Sequence, residues 1–260
     1  MPNTINRWLL LRGLIREAFH WGDLPNELQK QYGAEQVLCL DLPGVGACNN
    51  ISSPFSVDNI VANLRQRFLK SDGSKKKHWG VIGQSLGGMI AIAWCHNYPN
   101  DFNAAVTINT SASNLAPIFQ RFSFKTLPSV CRALISHDPY FREKIILDIA
   151  SNQPALRKKL LPIWAAHATA SPTKRQTFFA QLWAAAFYKI PLRLVTPLLV
   201  LTSQADRLVD VRCSRRLAAH FNASILEHNF AGHDLSVDDP QWIIEQIMLY
   251  FSATQLAATH

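Results

Sequence analysis

Short apolar runs alternate along this chain with stretches in which apolar residues recur every three or four positions. That contrast separates buried strands from amphipathic helices. Residues 7–11 form an apolar run behind Arg7 that stops at Arg12-Gly13, and they predict a strand. Residues 24–32 predict a short helix, with Pro25 near its start and Gly33 just past its end. Residues 36–42 predict a second strand, closed by Pro43-Gly44. Val57, Ile60, Val61, Leu64 and Phe68 share one face of a helix over 57–69. A third strand over 79–83, a helix over 89–98 and a fourth strand over 102–109 follow.

The alternation then breaks. Residues 111–194 hold helix-like segments at 127–136, 140–150, 155–168 and 173–187, with prolines between them. The stretch is too long for a loop and predicts a helical insertion lying as a lid over the sheet. Alternation resumes with a strand over 197–202, a helix over 211–221, a strand over 224–227 and a closing helix over 241–251. The pattern argues for an α/β fold: a mostly parallel sheet of about six strands with helices on both faces. The expected organisation is one core made of 1–110 and 195–260, interrupted by a lid over 111–194.

Where the third strand meets its helix the sequence reads Gly83-Gln84-Ser85-Leu86-Gly87. A strand, a sharp turn and a helix put a serine at the apex, and the flanking glycines give a strained backbone room. Ser85 is then exposed at a helix N-terminus, where backbone N–H groups meet a developing oxyanion. A serine hydroxyl needs a base, and the base needs an orienting carboxylate. In an open parallel sheet both come from loops at the carboxyl ends of the strands. The loop after 197–202 offers Asp206; Asp210 competes, but is placed to cap the next helix. The loop after 224–227 offers His233 behind Gly232; His228 competes from the strand end. The loop after 102–109 contains no carboxylate. His20, in the loop region after the first strand, is a candidate pocket residue.

The order Ser85, Asp206, His233 joins Asp41-Leu42-Pro43-Gly44-Val45-Gly46, which is similar to a D-x-P-G-x-G loop. On these motifs the chain resembles the α/β-hydrolase superfamily over residues 7–251. The resemblance implies an oxyanion hole made by the backbone N–H groups of Leu86 and Leu14. The loop that usually reads His-Gly-x reads Arg12-Gly13-Leu14 here. Arg12 has two readings: with Arg16 and His20 it binds an anionic substrate group, or it pairs with Asp41 or another structural acid. Ser203 stands where the family often has glycine. The first predicted strand resembles the family's third, so the usual leading hairpin is expected to be missing.

Composition narrows the picture. A chain of 260 residues, 48% hydrophobic and 17% charged, supports a large core. Cys39, Cys48, Cys95, Cys131 and Cys213 are scattered without a C-x-x-C pair, which predicts reduced thiols rather than a disulfide framework or zinc site. Residues 1–8 lack the apolar segment of a signal peptide, and no apolar run reaches the roughly 20 residues that span a bilayer; a cytoplasmic location is expected. The charge of +8 is spread over Lys75-Lys76-Lys77, Arg157-Lys158-Lys159, Lys174-Arg175 and Arg215-Arg216. No RNA-binding or helix-turn-helix signature accompanies it, so it reads as solvated surface or as attraction for an acidic partner, not specific nucleic-acid binding.

The expected activity is that of a serine hydrolase cleaving a carboxylic ester or thioester through an acyl-enzyme, with no metal or organic cofactor. A serine nucleophile argues against dehalogenase and epoxide hydrolase chemistry. It leaves carbon–carbon hydrolase, lyase and perhydrolase activities on the same triad, and a non-catalytic binding protein of the same fold. Phe119, Phe122, Phe124, Trp164, Phe178, Phe179, Trp183 and Phe187 in the lid point to an apolar acyl group, or only to lid core. Small esterases resembling the biotin-pathway methyl esterase act on an acyl chain held by an acidic carrier protein, a partner compatible with the basic composition.

Overall fold

The computed structural model describes residues 5–31, 36–71 and 78–257. The predicted helix end at Tyr32-Gly33 and the Lys75-Lys76-Lys77 cluster lie outside the described residues. One sheet of six strands, all parallel, forms the centre, in the order β2-β1-β3-β4-β5-β6. The strands are β1 (Arg7–Leu11), β2 (Gln36–Cys39), β3 (Trp79–Gln84), β4 (Ala104–Ile108), β5 (Leu198–Ser203) and β6 (Ser224–His228). Register pairs Leu9 with Val81, Ile82 with Val106, Thr107 with Val200 and Leu201 with Leu226.

Period-two alternation sends neighbouring side chains to opposite faces. Leu9, Leu11 and Val81 join one core with α2 (Val57–Lys70), α3 (Leu86–Asn97) and α9 (Val211–Phe221). Trp8, Leu10, Ile82 and Val106 join the other, with α1 (Leu24–Gln31) and α11 (Pro240–Ala257). Phe68, Trp79, Trp94 and Phe102 interlock within the first core with ring centroids 5.2–5.7 Å apart, edge-on except for the tilted Phe68–Phe102 pair. Between β4 and β5 lie α4 (Ile118–Arg121), α5 (Leu127–Ile135), α6 (Pro139–Ala150), α7 (Pro154–Ala170) and α8 (Arg175–Phe187).

Most boundaries fall within a few residues of the pattern. The second strand stops at Cys39 rather than at 42, because the Asp41 carboxylate turns to accept from the N–H groups of Ala18 and Ala47. The elbow helix begins at Leu86 rather than 89, since Gly87 and Gly88 are inside its first turn. Two short helices, α4 and α10 (Leu235–Asp238), had no periodicity to announce them. In the strand order, β1 leaves toward β2 on one side and β3 lies on the other. The crevice at the carboxyl ends of β1 and β3 is therefore the switch point where open α/β sheets bind ligands.

Candidate active site

Ser85 stands at that crevice, one residue beyond β3. Its φ of 55° and ψ of −117° are a conformation that costs a non-glycine residue about 1–3 kcal/mol. The turn is tied down on both sides. Ser85 N–H donates to the Ile108 carbonyl at 2.8 Å, and the Thr110 hydroxyl donates to the Ser85 carbonyl at 3.2 Å. A Cβ on Gly83 would overlap the Gly87 carbonyl, and one on Gly87 the Leu11 carbonyl, so the elbow closes only with both glycines. The β1 loop lies directly against it: a Cβ built on Gly13 would stand 3.1 Å from Ser85 Cβ. Leu86 opens α3, so its N–H is among those with no partner inside the helix. The Leu14 N–H and the Ser85 hydroxyl have no hydrogen-bond partner among the described residues.

In the loops after β5 and β6, His233 Nδ1 meets Asp206 Oδ2 at 2.7 Å. A carboxylate only accepts, so Nδ1 carries the proton and Nε2 keeps its lone pair. The second Asp206 oxygen accepts from the N–H groups of Leu208 and Val209 at 2.7 and 3.0 Å, which fixes the carboxylate. Burial works to lower the His233 pKa, but the Asp206 charge and hydrogen bond, helped by Asp234, outweigh it, and the net shift is upward. Asn109, at the end of β4, donates to the His233 carbonyl at 2.8 Å while its Oδ1 accepts from Ser203 N–H at 2.8 Å. It joins the ends of β4 and β5 to the histidine loop. Ser203, in the glycine position, is fully buried, and its hydroxyl oxygen accepts from Nδ2 of the same asparagine at 3.2 Å.

The competing residues are occupied elsewhere. His228 Nδ1 accepts from the N–H groups of Phe230 and Ala231, and its Nε2 faces Asp239 at 3.2 Å. Asp210 caps α9 through Arg212 N–H and holds the Arg212 guanidinium.

Arg12 is buried, with its guanidinium committed to protein groups. It forms a two-pronged pair with Asp234 at 2.9 and 2.7 Å, donates to Ser236 at 2.6 Å and Gln84 at 3.2 Å, and lies over the Trp21 ring. Of its two sequence readings the pairing one describes the structure, with Asp234 as the acid, not Asp41. Gln84 completes the knot by donating to Asp234 and to the His233 carbonyl. One buried network thus fastens the β1 loop, the residue before Ser85 and the residue after His233. Burial opposes ionisation of Asp234, but the Arg12 guanidinium and the hydrogen bonds from Arg12 and Gln84 hold its pKa below the usual value. Gln84, Asn109, Asp234 and Ser236 escaped the sequence reading. The available signal was the acid directly after Gly232-His233 together with an arginine in the histidine position of the β1 loop.

Arg16 and His20, the other expected pocket residues, are also buried. Arg16 pairs with Glu143 of α6 at 2.8 Å and lies over the Trp164 ring of α7. His20 stands edge-on to Trp164, accepts from Glu17 N–H, and is held well below its ordinary pKa by burial, then by Arg16 and Arg12. With Glu17 and His167, 2.6 Å apart, they form the seam between the β1 loop and α6–α7, not an anion site. The aromatics between β4 and β5 divide: Trp164 and Phe178 are buried, while Phe119, Phe124, Phe179, Trp183 and Phe187 are exposed. Burial pushes the thiols of Cys39, Cys95 and Cys213 up to about 12, which leaves them protonated at neutral pH.

A parallel sheet with a strained serine elbow at its switch point and a carboxylate-paired histidine beyond its last strand is the architecture of the α/β-hydrolase class. Residues 8–246 match the alpha/beta hydrolase family, and the chain belongs to it. A Caulobacter segnis protein named "Putative carbamate hydrolase RutD" is 27% identical over 253 residues, covering 93% of this chain and 90% of its own. Among solved structures, "Putative non-heme bromoperoxidase BpoC" from Mycobacterium tuberculosis H37Rv superposes with a TM-score of 0.72 at 19% identity, covering 96% of this chain and 93% of that one. A thermophilic esterase from Thermogutta terrifontis gives 0.71 at 17% identity, covering 95% and 89%. At such identities the solved structures speak to fold alone.

Proposed function

We propose that the chain is a serine hydrolase that cleaves a carboxylic ester or thioester through an acyl-enzyme, with Ser85, His233 and Asp206 as its triad. The observation that carries this reading is a His233 whose Nδ1 is committed to a buried carboxylate, on a loop that Gln84 ties to the strained, partly exposed Ser85 elbow. His233 Nε2 takes the Ser85 proton as Oγ bonds to the acyl carbon. The carbonyl electrons move to an oxyanion facing the Leu86 and Leu14 N–H groups. Collapse breaks the bond to the alkoxide or thiolate, which leaves with the proton from His233. Water then repeats the cycle against the acyl-enzyme, and Asp206 stays ionised throughout. In this reading α4–α8 form the lid.

A second reading is favoured by one observation, the relative named for carbamate hydrolysis that matches 93% of the chain. The same triad would attack a carbamoyl carbon by the same steps. A panel of p-nitrophenyl esters of graded chain length, acyl thioesters and a p-nitrophenyl carbamate separates the two. Turnover of esters or thioesters well above carbamate supports the first reading; the reverse order supports the second. A folded protein that turns over none of them points to a binding protein of this fold. Acyl thioesters on an acidic carrier belong in the panel because of the +8 charge.

A further inference from the structure

Helix α8 has two unlike faces. Thr177, Phe178, Ala180, Gln181 and Ala184 are buried. Gln181 donates to the Pro43 carbonyl and accepts from Ile15 N–H at 2.8 Å, so the inner face rests on loops beside Ser85. The outer face carries Phe179, Leu182, Trp183 and Phe187, with the two phenylalanines and the tryptophan 55–62% exposed. Their spacing of three and four residues makes one stripe, and the Trp183 and Phe187 rings stand 4.5 Å apart. Past the helix, Leu192 and Val195 are also apolar and exposed, at 86% and 87%. Soluble monomers rarely leave a contiguous patch of this kind bare without a use for it.

The charge around the stripe names its partner. From Ile149 to Ala205 the chain has no aspartate or glutamate and seven lysines and arginines. Lys174 and Arg175 precede the stripe, Lys189 and Arg193 follow it, and all four are exposed. None of the four is paired with a carboxylate among the described residues. Exposed aromatic rings flanked by cations suit an anionic lipid surface, where the rings enter the boundary between headgroups and acyl chains and the cations meet the headgroups. Packing of a second copy on this face would bring the same four cations of both chains together, which disfavours a twofold contact.

We propose that the outer face of α8 docks the protein onto an anionic lipid surface. The contact is peripheral, since no helix among the described residues is long and apolar enough to cross a membrane. It does not depend on the hydrolase reading, because adsorption requires no chemistry.

Sedimentation of the full chain with vesicles of equimolar phosphatidylcholine and phosphatidylglycerol tests it. Wild type is expected to sediment with these vesicles, far less with pure phosphatidylcholine, and less as salt is raised. A Trp183→Ser, Phe187→Ser double variant should bind at least about tenfold more weakly. Changing Lys174, Arg175, Lys189 and Arg193 together to Gln should weaken binding by about a hundredfold or more. Trp183→Phe should keep most of the binding yet lose much of the vesicle-induced blue shift in fluorescence. All of these positions are exposed, so the variants should keep the wild-type circular dichroism spectrum. Hydrolysis of a water-soluble ester by the variants should match wild type, which keeps a failure of docking apart from a failure of the hydrolase reading. Wild type remaining in the supernatant at low salt would overturn the proposal. So would undiminished binding by the aromatic or charge variants, or a dimer in solution that Trp183→Ser dissociates while no vesicle binding is seen.

Discussion

His233 faces Asp206 across 2.7 Å and His228 faces Asp239 across 3.2 Å, two histidine–aspartate pairs within one short stretch of chain. Their remaining ring nitrogens differ. His228 Nδ1 accepts from two backbone N–H groups, so its proton is on Nε2, directed at Asp239, and no lone pair is left. His233 gives its Nδ1 proton to a nearly buried carboxylate and leaves Nε2 open. A neighbouring carboxylate alone therefore does not make a base. The tautomer does, and it is set by what else the ring touches. The His228–Asp239 pair pins a turn, and the His233–Asp206 pair leaves a ring nitrogen open.

The difference can be broken most decisively by mutation. Ser85→Ala and His233→Ala are each expected to lower kcat by about a million-fold, whereas His228→Gln should keep most of the turnover and lose stability instead. Steady-state kinetics on the best ester of the panel, alongside thermal melts, measures both; full turnover without His233 would transfer the base to His228. Next in size, Asp206→Asn should cost about ten-thousand-fold in kcat by leaving the imidazole in the wrong tautomer. The matching Asp239→Asn should cost little. Equal losses in the two would erase the distinction.

The network below the pair gives the third test. Arg12→Ala strands the Asp234 carboxylate in the interior and should destabilise the protein by about 3–5 kcal/mol in urea unfolding. A loss well under about 1 kcal/mol would mean that the pair does not hold the loops together. The smallest expected effect is in pH. If His233 is the proposed base it must be neutral to act, and its pKa is raised, so kcat/KM should climb with pH to a midpoint above about 6.5. Asp234 contributes to that rise and Arg12 opposes it. Asp234→Asn should therefore move the midpoint down, and an upward movement would contradict the assignment.

Much of this was legible in the sequence because it depends on local rules. The elbow at Gly83–Gly87 follows from crowding within a few residues, and the strands from continuous apolar runs that only a parallel sheet buries on both faces. Asp206 and His233 were legible because loops after strands fall on one rim of the sheet. The Arg12–Asp234–Gln84 knot was not, since it depends on three loops distant in sequence meeting in the interior. The seam around Arg16 and His20 was hidden for the same reason: its partners Glu143 and Trp164 belong to helices whose packing no periodicity fixes. The outward turn of Trp183 and Phe187 was misleading, because aromatic content predicts burial more often than it predicts a surface.

The central claim is that Ser85 is an activated nucleophile, and covalent labelling tests it most directly. A fluorophosphonate probe, with the adduct located by peptide mass spectrometry, should react rapidly with the wild type at Ser85 and not at all with Ser85→Ala. A folded wild type that stays unlabelled, or an adduct formed on another serine while Ser85 remains free, would contradict it.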